Sequence, residues 1–180
     1  MSKQRPLVVD TCVVLQWLRR TPVEGQEDKF KAAHALLCDR MAKRYRFCIA
    51  TPALAEVLTG IPEEHRDAAL DVLLRMFEVL SFTFECACEA ASITTAELDA
   101  RTLRETQGRQ RTKVDAEILA CAKVAGAEGV ATFDKGMMSM AKRSKLKAAN
   151  PIAFTPAQEH LELGPRRVAS SFTGASDGVR

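Results

Sequence analysis

Four short apolar runs, each leading directly into a segment of helical periodicity, constrain this chain more than any other feature of its sequence. The first, Pro6 to Val9, is β-branched and runs into TCVVLQWLRR, where Val14, Leu15 and Leu18 recur at helical spacing. The second, Phe47 to Ala50, precedes TPALAEVL. The third, VLSFTF from Val79 to Phe84, precedes CEAASITTAELDARTL, and the fourth, EGVATF, precedes DKGMMSMAKR. Strand and helix alternating in this way predict an α/β three-layer sandwich, with a central, mainly parallel sheet flanked by helices.

Between these units the pattern is also helical. EDKFKAAHALLCDRMAKR places Phe30, Ala33, His34, Leu37 and Met41 along one face. TPALAEVL opens with Thr51 as a candidate N-cap and Pro52 at the first helical position, and should end near Gly60. A further helix is expected from Pro62, repeating Ala69, Val72, Leu73, Met76 and Leu80. The segment RETQGRQRTK carries no apolar residue and reads as an exposed loop, followed by a helix over VDAEILACAKVAGA. NPIAF reads as a last short strand. With 180 residues, 47% of them apolar, the chain can bury one core. Residues 1–155 are expected to form that domain, and the small, polar residues 156–180 a flexible tail.

Composition excludes several classes. No run approaches the roughly 20 apolar residues that span a bilayer, and MSKQRP leads into no signal-peptide core, so a cytoplasmic protein without membrane partners is expected. Six cysteines occur without a CxxC pair; Cys12, Cys48 and Cys121 fall in apolar periodic segments, where a free thiol behaves as a small hydrophobe. The formal charge is only +3. Its distribution is uneven: bases crowd Arg101 to Lys113 and Lys135 to Lys147. Trp17 and Tyr45 are the only Trp and Tyr, and no aromatic platform for stacking bases is legible.

The apolar opening run carries a carboxylate, Asp10, at its end. A buried carboxylate without a partner costs several kcal/mol, so its presence there requires compensation. Three other acids fall at comparable places: Glu56 in the short helix after FCIA, Asp115 at the expected start of a helix, and Asp134 after EGVATF. Ligands of open parallel sheets bind where the carboxyl ends of strands meet such turns. Each acid alone has a structural explanation, as an N-cap, a partner of a helix N-terminus or a solvated residue. Four acids on one rim repel one another unless a cation intervenes, and Mg²⁺ or Mn²⁺ is suited to oxygen donors and to phosphate oxygens.

Asp10-Thr11 after an apolar strand, TPALAEVL with Glu56, KVDAEILACA with Asp115 and ATFD with Asp134 together resemble the acidic motifs of PIN-domain ribonucleases, especially the VapC toxins of type II toxin–antitoxin systems. The likeness runs from about Leu7 to Phe154, with the motifs in the family's order. It implies a Mg²⁺- or Mn²⁺-dependent endoribonuclease that leaves 5′-phosphate and 3′-hydroxyl ends. Carried over, Asp10, Glu56, Asp115 and Asp134 would be the acidic ligands, directly or through water, and Thr11 and Thr132 supporting hydroxyls. The expected division has Asp10, Asp115 and Asp134 at a principal ion and Glu56 at a second ion or at the attacking water. The resemblance also implies a homodimer and a cognate antitoxin, one of whose arginines could reach the carboxylates.

Two positions depart from that pattern. Cys12 stands where many relatives carry a small polar residue, and Glu117 occupies a helix position that is often apolar. Residues two apart do not share a helix face, so Glu117 reads as solvated or paired with a base rather than as a fifth ligand. Arg109, Arg111, Lys113 and Lys135, which adjoin Asp115 and Asp134, are candidate contacts to the RNA backbone. None of His34, His65 and His160 reads as a general base. Three other readings stay open: a housekeeping RNA-processing PIN nuclease, a non-catalytic PIN-fold module that binds RNA or a partner, and an aspartyl phosphatase. The last usually carries a second Asp two residues after the first, where this chain has Cys12.

Overall fold

Short strands that are apolar along their whole length belong inside a sheet covered on both faces, and this chain places them there. A computed structural model of the protein describes residues 6–42, 46–100 and 109–154. The elements run β1 (Pro6–Val9), α1 (Thr11–Leu18), α2 (Glu27–Ala42), β2 (Arg46–Ala50), α3 (Thr51–Thr59), α4 (Glu63–Met76), β3 (Glu78–Leu80), α5 (Phe84–Ala100), α6 (Arg109–Val124), β4 (Gly129–Ala131), α7 (Lys135–Arg143) and β5 (Ala148–Ala149), closed by a 3₁₀ turn, Pro151–Phe154. The five strands lie in the order β3-β2-β1-β4-β5, and every pairing is parallel.

β1 is the central strand, with Leu7 in register with Phe47 of β2 on one side and Gly129 of β4 on the other. All residues of β1 and β4 are buried. Leu37, Ile49, Leu73, Ile118 and Leu119 are among the large side chains fully removed from solvent around the sheet. Each such burial contributes about 1.5–3 kcal/mol. A Cβ on Gly129 would lie 2.5 Å from the Lys147 carbonyl oxygen, so glycine is what lets β4 and β5 approach. Among the described residues no helix is long and apolar enough to cross a membrane.

The sandwich expected from the strand–helix alternation is the one observed, with corrections at several boundaries. The third strand stops at Leu80, and Phe84 already opens α5. NPIAF forms the 3₁₀ turn, while Ala148–Ala149 pairs with β4 instead. The expected basic loop is helical from Arg109 onward, and Thr112 is buried. Arg and Gln are good helix formers, so a polar first turn extends α6 without an apolar face. Asp115 therefore lies well inside α6 rather than at its start. Thr51 begins α3 with Ala50 at the N-cap, and its hydroxyl accepts from Phe82 N–H at 3.0 Å. Val72 of α4 faces solvent, and Leu73 is the residue buried. The tail and residues 101–108 lie outside the described residues.

Candidate active site

The strand order reverses between β1 and β4, which opens a crevice at their carboxyl ends. Asp10 follows β1 directly; its N–H still donates to the Ala131 carbonyl at 3.0 Å, extending the ladder, and its own carbonyl accepts from Val13 and Val14 as α1 begins. It occupies the N-cap position of α1, yet its side chain makes no capping bond. The carboxylate turns instead to the neighbouring strand end: Oδ2 accepts from Thr132 Oγ1 at 2.7 Å and from Cys12 Sγ at 2.9 Å. Asp10 is 5% exposed and Thr132 fully buried.

Asp134 has the structural role that Asp10 lacks. Its Oδ1 accepts from the N–H groups of Gly136 and Met137, at 2.6 and 3.1 Å, and caps α7. A Cβ on Gly136 would stand 3.0 Å from that oxygen, so glycine keeps the cap close. The Asp134 N–H donates to Thr132 Oγ1 at 2.9 Å, and the Phe133 N–H donates to Cys12 Sγ at 3.3 Å. A continuous chain of hydrogen bonds therefore joins the turn after β4 to the Asp10 carboxylate through one hydroxyl and one thiol.

The other two acids arrive on helices. Glu56 projects from the exposed face of α3, with Oε2 accepting from Thr11 Oγ1 at 2.7 Å. Asp115 comes from α6. Asp10, Glu56, Asp115, Glu117 and Asp134 all line one open cavity of about 710 Å³, together with Thr11 and Cys12. No Lys, Arg or His among the described residues lines it.

The electrostatics follow from that composition. Burial raises the Asp10 pKa above its ordinary 3.8, and the charge of Asp134 adds to the rise; the bonds from Cys12, Thr132 and the Thr11 backbone oppose it without cancelling it. Burial also pushes the Cys12 thiol up to about 12, with the Asp10 charge acting in the same direction. Cys12 is therefore a neutral donor, not a nucleophile. Five carboxylates in a cavity lined by no cation among the described residues form an oxygen donor set of the kind a hard divalent cation takes. Among the described residues, however, no three His, Cys, Asp or Glu side chains stand at metal-holding distance. The set fits an ion that keeps several waters rather than one enclosed by protein.

Of the positions singled out by sequence, Asp10, Thr11, Glu56, Asp115 and Asp134 share the cavity, and Thr132 stands behind Asp10. Lys113 is exposed near the start of α6 and Lys135 at the start of α7; the side chains of Arg109 and Arg111 lie outside the described residues. Two roles were missed. Cys12 is part of the hydrogen-bond chain, which its apolar surroundings in sequence concealed. Glu117, expected to be solvated or paired with a base, lines the same cavity as Asp115 although the two do not share a helix face. Neither His34 nor His65 lines this cavity, and His34 packs its ring 4.4 Å from Phe30 in α2.

The sequence profile of the PIN domain matches residues 7–143. No curated protein sequence matches the chain. Among solved structures, the DNA-bound VapBC complex of Salmonella typhimurium superposes with a TM-score of 0.58 at 17% identity, covering 82% of this chain and 99% of the other. VapBC2 of Rickettsia felis, bound to a fragment of promoter DNA, gives 0.56 at 17% identity over 81% and 98%. The Mycobacterium tuberculosis toxin VapC20, described as cleaving the sarcin–ricin loop, gives 0.51 at 17% identity over 74% and 93%. At these identities the likeness is one of fold.

Proposed function

The chain belongs to the PIN-domain family, whose members include nucleases, and from that premise we propose that it is a divalent-metal-dependent endoribonuclease, the toxin of a toxin–antitoxin pair. The observation that carries the reading is the cavity, lined by no cation among the described residues, that Asp10, Glu56, Asp115 and Asp134 share at the strand-order reversal. A phosphodiester brought to a cavity lined by carboxylates would be repelled, so cleavage there requires a compensating positive charge.

Asp10 and Asp134 would hold a Mg²⁺ or Mn²⁺ ion, with Asp115 and Glu56 joining directly or through water. When bound, such an ion supplies charge compensation at the phosphoryl oxygens and a nucleophilic water at neutral pH. The chain's own part is positioning. Thr132 and Cys12 occupy Oδ2 of Asp10 and so fix the plane of its carboxylate; Thr11 does the same for Glu56. Supporting donors of this kind typically matter by about 10–100-fold in metal affinity or activity. Lys135, directly after Asp134, and Lys113, two residues before Asp115, would meet RNA phosphates. The proposed surroundings are a cytoplasmic homodimer held inactive by an antitoxin; the antitoxin partner is supported by the VapBC complexes of similar fold.

Cleavage of a mixed RNA pool in Mn²⁺ tests this. Wild-type protein should cut it to fragments with 5′-phosphate ends, and Asp115→Asn should not; cutting retained in the variant, or none by either protein, would count against the nuclease. Growth arrest on expression, relieved by Asp10→Asn, separates a toxin from a housekeeping enzyme.

A further inference from the structure

Beside the acid cavity lies a second, open groove of about 440 Å³, lined by Phe82, Ala87, Ala91, Thr94, Lys113 and Glu117, among others. Glu117 lines both depressions, so they meet at its side chain. Among the described residues the groove has one aromatic lining residue, Phe82, and an exposed phenylalanine, Phe84, stands outside its lining. Phe82 is 39% exposed, and Phe84, at the head of the α5 face that continues through Ala87 and Ala91, is 79% exposed. The Phe82 backbone is fixed: its N–H donates to Thr51 Oγ1 at the start of α3, the helix that carries Glu56.

Resting on the nuclease reading above, we propose that this groove binds an unpaired guanine of the RNA substrate next to the cleaved bond. The base stacks on Phe82, its edge donates to Glu117, and Lys113 meets an adjoining phosphate. An apolar face alone would suit many occupants, but this one is edged by a cation and a carboxylate and continues into the cavity that would cut the backbone. Single-stranded RNA has the matching sequence of groups, with a π-face, polar base edges and phosphates at short intervals. The charge pattern matches a nucleotide, which brings a flat π-face, donor groups on the base edge and a phosphate within one short unit.

Guanine follows from the acceptor. An ionised carboxylate accepts through two oxygens and donates nothing. Guanine alone places two adjacent N–H donors, N1–H and N2–H, on its Watson–Crick edge. Adenine and cytosine set a ring acceptor beside their amino group, and uracil flanks its single N–H with carbonyls, so each would turn an acceptor toward Glu117. A matched two-bond contact is worth a preference of about tenfold or more over the wrong base.

Short single-stranded oligoribonucleotides with one guanosine, adenosine or cytidine in a run of uridines provide the test, cleaved in Mn²⁺ and titrated for binding without it. Wild type should favour the guanosine oligonucleotide about tenfold in both assays. Glu117→Gln should bring the ratio of guanosine to uridine cleavage near one, and Phe82→Ala should weaken binding of every oligonucleotide about tenfold. Cleavage with no base preference, or a preference unchanged in Glu117→Gln, would overturn the inference and leave the nuclease standing. Binding that favours guanosine without any cleavage would do the reverse. If Phe82→Ala lowers the sedimentation coefficient to that of a smaller species and leaves RNA binding intact, the groove belongs to a second copy and the inference fails.

Discussion

Two carboxylates are buried among the described residues, and they are treated in opposite ways. Glu97 of α5, 4% exposed, receives both Nε and a terminal nitrogen of Arg143 from α7, the first at 3.0 Å. Asp10, 5% exposed, receives only a hydroxyl, a thiol and a backbone amide, with Asp134 adding charge of the same sign. Glu97 has its counter-charge within the chain and serves the packing of α5 against α7. Asp10 is held in an unfavourable state by its burial and by the like charge of Asp134, which is what the proposed cation site would relieve. A buried acid is informative less by its burial than by the charge of what touches it.

That contrast can be broken by experiment. The largest effect expected is on activity: Asp10→Asn should abolish metal-dependent RNA cleavage, whereas Glu97→Gln should leave the cleavage of the surviving folded protein near wild type, both read in a gel assay. Stability should respond in the other order. Arg143→Met removes the bidentate partner of buried Glu97 and should lower unfolding free energy by about 3 kcal/mol, measured by urea denaturation, with much of the loss recovered when Glu97→Leu is added.

Next in size is the response to metal. Mn²⁺ at 100 times its dissociation constant should stabilise the wild type by about 2.7 kcal/mol and Asp10→Asn by far less, a difference that thermal melts detect. Equal stabilisation of both proteins would place the ion elsewhere. Thr132→Val should weaken that stabilisation by about 10–100-fold in apparent affinity, since it frees the Asp10 carboxylate to rotate.

The smallest effect is the one with the clearest sign. Because the folded state raises the Asp10 pKa above 3.8, it holds that proton more tightly than the unfolded chain. Metal-free wild type should therefore lose stability relative to Asp10→Asn as pH rises from the ordinary carboxylate range through the raised value, and the two should converge below it. Melting temperatures of both proteins across that range measure the gap. A variant less stable than wild type at neutral pH would mean that Asp10 is already compensated.

Much of this was legible in the sequence because it is local. Strand existence follows from β-branched apolar runs, and the acids that end strands are visible as charges at the edge of those runs. Boundaries were less secure: Arg109 to Lys113 carries no apolar periodicity, yet it is helical with Thr112 buried, because propensity and packing across the fold prevail over a polar local pattern. The same limit hid the role of Cys12, whose partners Thr132 and Phe133 lie some 120 positions away.

By itself, then, the sequence determined the class of fold and the chemical type of the site, since burial periodicity and ionisable groups are properties of short segments. Only the tertiary structure decided which acids face one another, which has a cation of its own and which aromatic rings stay exposed. Parallel pairing of β1 with β4 brings Asp10 within a hydrogen bond of a residue 122 positions distant, and no local pattern encodes that encounter. The closing of a sheet around its central strand makes a carboxylate that is only unusual in the sequence into the centre of a site.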